Sequence, residues 1–342
     1  MLPLRPQSHT TNPSLKKLRH KLEYLVARFL FATVPLLPRG LTVWFARQVG
    51  SLVYALLSFE RRVALANLDI AFGDAKTPAE KRRIAKRSFQ HFTLTALDIF
   101  WASRLTHDEI RQFVVFDDKS RALADNLSQR KKGAVALTMH YGNWEMLLQA
   151  CGALGYPMTG VANRMKNADL DRFLTQRREA RGHRIIYKLG ALPKLAKVLQ
   201  RGEIAGLVMD QNTRIREGGL WVDFFGVPAT TSKAMAGLAL NTGAPIVFGV
   251  CFPTPDGKYR MEIGPEVPWQ PTGNHDADVE RITRDVMTAC EQIIREKPEY
   301  WMWFYRRWKF RSSEEQGKFP FYSMVLRDKK NASVQESHSS SQ

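Results

Sequence analysis

The chain has 342 residues, 44% of them hydrophobic, and a formal net charge of +18 at pH 7. That is long and apolar enough for one large α/β domain with additions, or for two domains, and excludes a chain too polar to build a core. The charge suits a polyanionic partner: nucleic acid, an anionic membrane surface or an acidic protein. The sequence shows no zinc-finger spacing and no nucleic-acid-binding signature, so nucleic acid ranks last. Cys151, Cys251 and Cys290 are widely spaced in apolar surroundings. They read as small buried hydrophobes of a reducing compartment, not as a disulfide scaffold.

Taken in chain order, the predicted segments are a polar tail over 1–20, a hydrophobic anchoring or interfacial segment over 21–60, an α/β body over 61–325 and a disordered tail over 326–342. Met1–Pro13 and Lys329–Gln342 are polar and poor in aromatics, which predicts disorder. Tyr24–Phe59 is strongly apolar but is interrupted by Arg28, Arg39 and Arg47 and broken at Pro35 and Pro38. A tilted span with snorkelling arginines and a pair of interfacial helices both fit it. A hydrophobic hairpin packed on the body is the plainer alternative. The basic flank Lys16, Lys17, Arg19 and Lys21 favours the cytoplasmic side. No small-residue cleavage site suggests a removed signal peptide.

Thr77-Pro78-Ala79-Glu80 has the form of a capping box with proline at the first helical position, and predicts a helix over Lys81–Phe100. From residue 130, short apolar runs alternate with helical segments. Strands are predicted at Ala134–Met139, His183–Tyr187, Ile204–Met209, Pro245–Phe252 and Tyr259–Ile263. Helices are predicted at Trp144–Leu154, Leu170–Ala180, Ala191–Gln200, Thr231–Asn241 and Val279–Glu296. The pattern is that of an α/β fold with a mixed sheet.

Three segments carry chemistry. In Gly133–Glu145 an apolar run ends at His140, with Glu145 five residues later. Open α/β sheets place ligands at such strand ends, and a histidine held by a carboxylate acts there as a general base. The plainer reading is a core histidine. In Ile204–Gly226 a second strand ends at Asp210, Gln211 and Asn212, followed by Arg214 and Arg216. Arginines at that edge suit phosphate or carboxylate, or an Asp210–Arg pair simply pins the loop. Phe224–Pro228 reads as an apolar turn, with Thr230, Thr231 and Ser232 as caps for the next helix. In Pro298–Arg311 tryptophans, tyrosines and phenylalanines alternate with basic residues. This run suits a lipid–water interface, a stacking platform for nucleic acid, or packing on the core.

The order and spacing of these residues resemble the bacterial lipid A biosynthesis acyltransferases, the late lauroyl and myristoyl transferases of the lysophospholipid acyltransferase superfamily. The resemblance covers roughly Leu22–Arg311. It includes Arg61–Asp74, the histidine-x4-acid motif at His140 and Glu145, and Asn167 and Asp171 of a middle motif. It continues through the segment from Asp210 to the Phe224–Thr231 stretch and through Trp303–Lys309. The chain departs from the pattern where Asn163 takes the arginine position with Arg164 beside it, where Ala168 replaces proline, and where Tyr305 replaces histidine.

The resemblance implies an O-acyltransferase fold in the α/β class with an N-terminal membrane-associated helical region. It implies transfer of a fatty acyl chain from an acyl carrier protein thioester to a hydroxyl of a lipid A precursor at the cytoplasmic face of the inner membrane. His140 is then the base and Glu145 its orienting partner. Arg164, Arg214 and Arg216 contact acceptor phosphate or act as clamps, one of them held by Asp210. Trp301, Trp303, Arg306 and Arg307 face membrane or lipid. Backbone N–H groups near Gly142, or a basic side chain, stabilise the oxyanion. No G-x-S-x-G elbow is present, which favours direct transfer without an acyl-enzyme. No metal and no cofactor beyond the acyl donor is expected, and the partners are the carrier protein, the lipid acceptor and an anionic membrane, with no nucleic acid. A glycerophospholipid or other lysolipid acceptor is the alternative, followed by a non-catalytic membrane-binding protein with the same fold.

Overall fold

The computed structural model describes residues 13–313, 317 and 319–326. Four helices come first: α1 (Pro13–Thr33), α2 (Arg39–Leu56), α3 (Ser58–Phe72) and α4 (Pro78–Trp101). Then follow α5 (His107–Phe113), β1 (Val114–Phe116), α6 (Asp118–Gln129), β2 (Ala134–Thr138), α7 (Trp144–Ala153), β3 (Met158–Ala162), α8 (Ala168–Glu179) and β4 (Arg184–Tyr187). The second half holds α9 (Ala191–Gln200), β5 (Ile204–Val208), β6 (Gly219–Phe224), β7 (Val227–Ser232), α10 (Ala234–Thr242), β8 (Ile246–Pro253), β9 (Tyr259–Val267), α11 (His275–Glu296), β10 (Phe310–Arg311) and β11 (Met324–Val325). The predicted disordered tails lie outside the described residues except at their inner ends: Pro13 opens α1, which therefore starts inside the segment read as a polar tail, and the Leu326 N–H donates to the Arg311 carbonyl.

A seven-stranded sheet, in the order β1-β9-β8-β2-β5-β3-β4, forms the centre. Strands β8, β2, β5, β3 and β4 are parallel, whereas β9 runs antiparallel to β8 and pairs parallel with β1. The sheet is mixed, as the sequence pattern predicts. Strand β8 is buried along all but its last residue. Both its faces are covered by helices, so it reads as a continuous apolar run with no polar alternation. Each fully buried Ile, Val or Phe there contributes roughly 1.5–3 kcal/mol. Helices α9, α10 and α11 cover one face, and the core on that side continues into α3 and α4. Helices α5 and α7 cover the other face beside β1 and β9.

The helix starts follow from local chemistry. Thr77 Oγ1 accepts the Glu80 N–H and Glu80 Oε2 accepts the Thr77 N–H, with Pro78 at the first helical position. The same reciprocal pair, Thr106 and Glu109, opens α5. The Phe224–Pro228 segment is more than a turn: it closes a hairpin of β6 and β7. Phe225 and Gly226 both adopt positive φ, 52° and 72°, which is the two-residue turn geometry that suits paired strands. The cost of positive φ at Phe225 is offset by burying its ring against Phe72 and Trp303. Thr231 and Ser232 accordingly belong to β7, and α10 begins only at Ala234.

Helices α1 and α2 leave a broad apolar face open, including Leu18, Leu25 and Phe29 on α1 and Trp44, Leu52 and Leu56 on α2. Among the described residues no single helix is long and apolar enough to cross a membrane. One pair, Arg39–Leu56 with Ser58–Ala75, passes that test together but is bent by 93°. An apolar face of this extent is what a membrane-associated protein presents.

The start of α2 is anchored in the body by charge. The Arg39 guanidinium pairs with the buried carboxylate of Asp98 on α4 and lies 4.7 Å from the Trp101 ring centroid. Asp98 also accepts from Asn143 Nδ2, at 2.9 Å, and from the Tyr259 hydroxyl. Burial pushes the Asp98 carboxyl above its usual range, against the pull of these partners. Asp98→Ala leaves the Arg39 charge unpaired, and should lower unfolding free energy by about 3–5 kcal/mol. Chemical denaturation checks this; a loss below about 1 kcal/mol, the scale of a surface pair, would contradict the anchoring role.

Candidate active site

Two neighbouring strands bring the site together. Strands β2 and β5 pair in register with Thr138 opposite Val208. Two residues beyond that pair, His140 and Asp210 meet outside the carboxyl edge of the sheet. His140 Nδ1 is 2.8 Å from Asp210 Oδ1, and the His140 main-chain N–H donates to Asp210 Oδ2 at 3.1 Å. The buried indole of Trp301 donates to the same Oδ2 at 2.8 Å. With Nδ1–H committed to Asp210, the neutral ring presents Nε2 as its basic atom. Burial works against charge on both groups, yet their mutual attraction and hydrogen bonds hold the His140 pKa above its ordinary value and the Asp210 pKa below it. The Trp144 ring meets the imidazole edge-on, with centroids 4.9 Å apart.

The turn after His140 is fixed by its backbone. Gly142 has φ +58°, and a Cβ there would lie 2.1 Å from the Cys251 carbonyl oxygen. Its N–H donates to the Tyr300 carbonyl at 2.9 Å, and its carbonyl accepts from Thr95 Oγ1 at 2.9 Å. The Asn143 N–H donates to the Cys251 carbonyl, while Asn143 Oδ1 accepts the Met146 N–H and so caps α7. The N–H groups of Gly142 and Asn143 are thus already engaged. Neither is free to serve an oxyanion.

Further corrections follow. Glu145 does not hold the His140 ring; its carboxylate pairs with Arg178 Nη2 at 2.5 Å, although its charge still adds to the field that raises the His140 pKa. Asp210 does not clamp an arginine but holds His140. Arg164 is exposed and stacks over the Tyr187 ring at 4.3 Å, and Arg214 lies 5.7 Å from the Phe310 ring centroid. Arg216 is exposed on the loop after β5. None of these three lines the cavity beside His140.

Trp301, Trp303 and Arg307 are 1%, 0% and 0% exposed, so they cannot face membrane; of the four residues read that way only Arg306 is exposed. The Pro298–Arg311 run instead builds the back of the site. Arg307 donates to Asn212 Oδ1 at 2.9 Å, the Thr230 carbonyl at 2.7 Å and Thr231 Oγ1 at 2.5 Å. The Asn212 N–H donates to the Tyr305 hydroxyl oxygen at 3.1 Å, which gives the tyrosine at the departing position a structural task.

A cavity of about 340 Å³ opens beside His140, lined at this edge by Trp144, Glu145, Asn163, Arg178 and Gln211. Gln211 Nε2 lies 3.5 Å from His140 Nε2, too far for a strong hydrogen bond, which leaves both groups to a ligand. Among the described residues no group of three or more His, Cys, Asp or Glu side chains is arranged to hold a metal ion. Three contributors are not evident in sequence: Asp210 as the imidazole's partner, Trp301 as a further donor to Asp210, and Arg178 as the partner of Glu145. One signal existed. Thr138-Met139-His140 and Val208-Met209-Asp210 are the same strand ending written twice, with a polar group in the same place.

An oriented imidazole beside a largely apolar cavity is an arrangement suited to base chemistry on an amphiphilic substrate. Comparison with known proteins makes this specific. The chain matches the family model of the bacterial lipid A biosynthesis acyltransferases over residues 9–310. It is 22% identical to the lipid A biosynthesis palmitoleoyltransferase of Escherichia coli K12, over 80% of this chain and 87% of that protein. It is 29% identical to the phosphatidylinositol mannoside acyltransferase of Mycolicibacterium smegmatis, over 54% of this chain and 59% of that protein, so the match spans under two thirds of the mycobacterial relative. The chain belongs to the bacterial lipid A biosynthesis acyltransferase family.

Gly142→Ala should both strain a positive φ and drive a methyl into backbone, at a cost of about 2 kcal/mol or more. A melting temperature equal to that of the parent protein would contradict this account of the turn.

Proposed function

We propose that the protein transfers a fatty acyl chain from an acyl carrier protein thioester to a hydroxyl of a lipid A precursor. The observation that carries the reading is the pairing of the half-buried His140 with the buried Asp210 at the mouth of the cavity, within a chain of this family. His140 Nε2 takes the proton of the acceptor hydroxyl as its oxygen attacks the thioester carbonyl. The tetrahedral intermediate collapses with loss of the C–S bond, and the imidazolium returns the proton to the leaving thiolate. Asp210 fixes the tautomer and stabilises the imidazolium. The Gln211 amide is the nearest side-chain donor to the reacting nitrogen, and serves the developing oxyanion. Glu145, locked to Arg178, shapes the entrance and contributes negative field.

The net charge of +18 supports two anionic contacts, with membrane lipid and with an acidic carrier protein. The open apolar faces of α1 and α2 support seating at the cytoplasmic face of the inner membrane. A second reading, acylation of a glycerophospholipid-based acceptor, is favoured by the higher identity to the mycobacterial phosphatidylinositol mannoside acyltransferase. Incubating the protein with acyl carrier thioester and each acceptor, then weighing the products by mass spectrometry, separates the two. Acylated lipid A precursor is expected; product on glycerolipid acceptors alone would replace the first reading with the second.

His140→Ala should lower kcat by roughly 10²–10⁴-fold. His140 must be neutral to act, so kcat/KM rises with pH through its pKa, and that limb lies above the ordinary histidine value because Asp210 favours the charged ring. Asp210→Asn removes this attraction. It should move the limb to lower pH while reducing the plateau, whereas Glu145→Gln should move it less. A pH profile unmoved by Asp210→Asn would reject the pairing.

A further inference from the structure

A second cavity, of about 640 Å³, opens on the other face of the sheet, between α9, α10 and the start of α11. It meets the cavity beside His140 at the carboxyl edge, where Asn163, Val208 and Gln211 line both. Among the described residues, none from α1 or α2 lines it. Helix α1 packs on the opposite face of the sheet. Asn167 at the start of α8 donates to the His20 carbonyl at 2.8 Å, the Tyr24 and Phe173 rings meet edge-on, and α8 is joined to α7 through Arg178 and Glu145. The apolar face of α1 and the mouth of the second cavity are therefore separate surfaces.

The rim of this cavity is basic. The segments that follow β3, β4, β5 and β7 carry the exposed side chains Arg164, Lys188, Arg216 and Lys233. Contacts join these segments into one belt. The Arg164 guanidinium lies 4.3 Å from the ring centroid of Tyr187, the residue before Lys188. Lys188 Nζ is 3.6 Å from Glu217, the residue after Arg216. The Lys233 N–H donates to the Gly218 carbonyl at 3.3 Å. Arg164, Arg216 and Lys233 pair with no carboxylate among the described residues. The acids at the mouth are Glu217, engaged by Lys188, and Asp276, 3.6 Å from His275. Helices α9 and α10 contain no acidic residue. Beside the cations stand two bare leucines, Leu189 at 95% exposure and Leu192 at 50%. Apolar side chains ringed by charge are the anatomy of a protein interface.

We propose that this surface docks the acidic carrier protein that brings the acyl thioester, with Leu189 and Leu192 at the centre of the contact and the four cations around them. The proposal rests on the acyl-transfer reading of His140. A flat bilayer does not enter a concave mouth, whereas a convex acidic protein matches both its shape and its charge. A thioester presented here reaches His140 along the edge that the two cavities share, while the apolar face of α1 stays open to lipid. Binding of acyl carrier protein is measured by calorimetry, and donor KM by transfer to the lipid A precursor. Wild type is compared with Lys188→Glu/Lys233→Glu and with a control, Lys86→Glu/Lys119→Glu, which makes the same charge change at exposed lysines of α4 and α6. Lys188→Glu/Lys233→Glu should weaken carrier binding and raise KM for the carrier thioester by roughly tenfold or more. KM for the same acyl group on free pantetheine, which has no protein to dock, should move far less. The control should bind the carrier as wild type does. No carrier binding by wild type, an equal loss in the control, or unchanged binding in Lys188→Glu/Lys233→Glu overturns the proposal. A raised acceptor KM with the donor KM unmoved, or lost binding to phosphatidylglycerol vesicles with carrier binding intact, overturns it too. Carrier binding that is weakened as expected, with no acyl transfer by wild type to any acceptor, would instead sink the acyl-transfer reading and leave the docking surface standing.

Discussion

The Asp210 carboxylate is the constraint on which the site depends. A buried anion is expensive unless its lone pairs are filled, and here they are filled by the His140 ring, the His140 backbone and the Trp301 indole. These donors come from two segments far apart in sequence, so the carboxylate is satisfied only when β2, β5 and the C-terminal aromatic run are all in place. The same three bonds leave the imidazole one orientation, with Nε2 toward the cavity. Folding and the orientation of His140 are here the same requirement.

A second buried carboxylate links the site to the apolar helices. Asp98 joins Arg39, the first residue of α2, to Asn143, which caps α7 three residues beyond His140. The helices that expose apolar surface are therefore tied by charge to the turn that carries His140. Helix α1 is tied separately: Asn167, at the start of α8, donates from Nδ2 to the His20 carbonyl and to Glu23 Oε2, and α8 also bears Arg178. An apolar phase against α1 and α2 would lie next to the walls of the cavity, a sensible arrangement for a hydroxyl acceptor and an acyl chain that both arrive with lipid character.

Much of the sheet was legible because its central strands are buried on both faces and read as apolar runs. Ala191–Gln200 was placed to the residue, and the Thr77–Glu80 capping box opens α4 as expected. Strand β3 is hard to read in sequence because Met-Thr-Gly-Val-Ala is short and has glycine at its centre; the same glycine lines the cavity. In sequence the β6–β7 hairpin resembles a turn with helix caps, because Phe-Gly is a poor hairpin signal and Thr-Thr-Ser a good cap signal. His140 was identified by its strand end, but its partner was sought nearby in sequence, whereas register supplied it from a neighbouring strand. The aromatic–basic run looked like a lipid-facing surface because composition does not reveal burial. Trp301, Trp303 and Arg307 are instead held in the core by hydrogen bonds to Asp210, Pro298 and Asn212.

The site turns on one proton, the one on His140 Nδ1. Nitrogen-15 NMR of the imidazole, assigned by comparison with His140→Gln, reads its position directly. Above the His140 pKa the neutral ring should carry its proton on Nδ1, bonded to Asp210, with Nε2 unprotonated and facing the cavity. A neutral ring protonated on Nε2 would contradict the account, because the base would then point its lone pair at a carboxylate instead of at the acceptor hydroxyl.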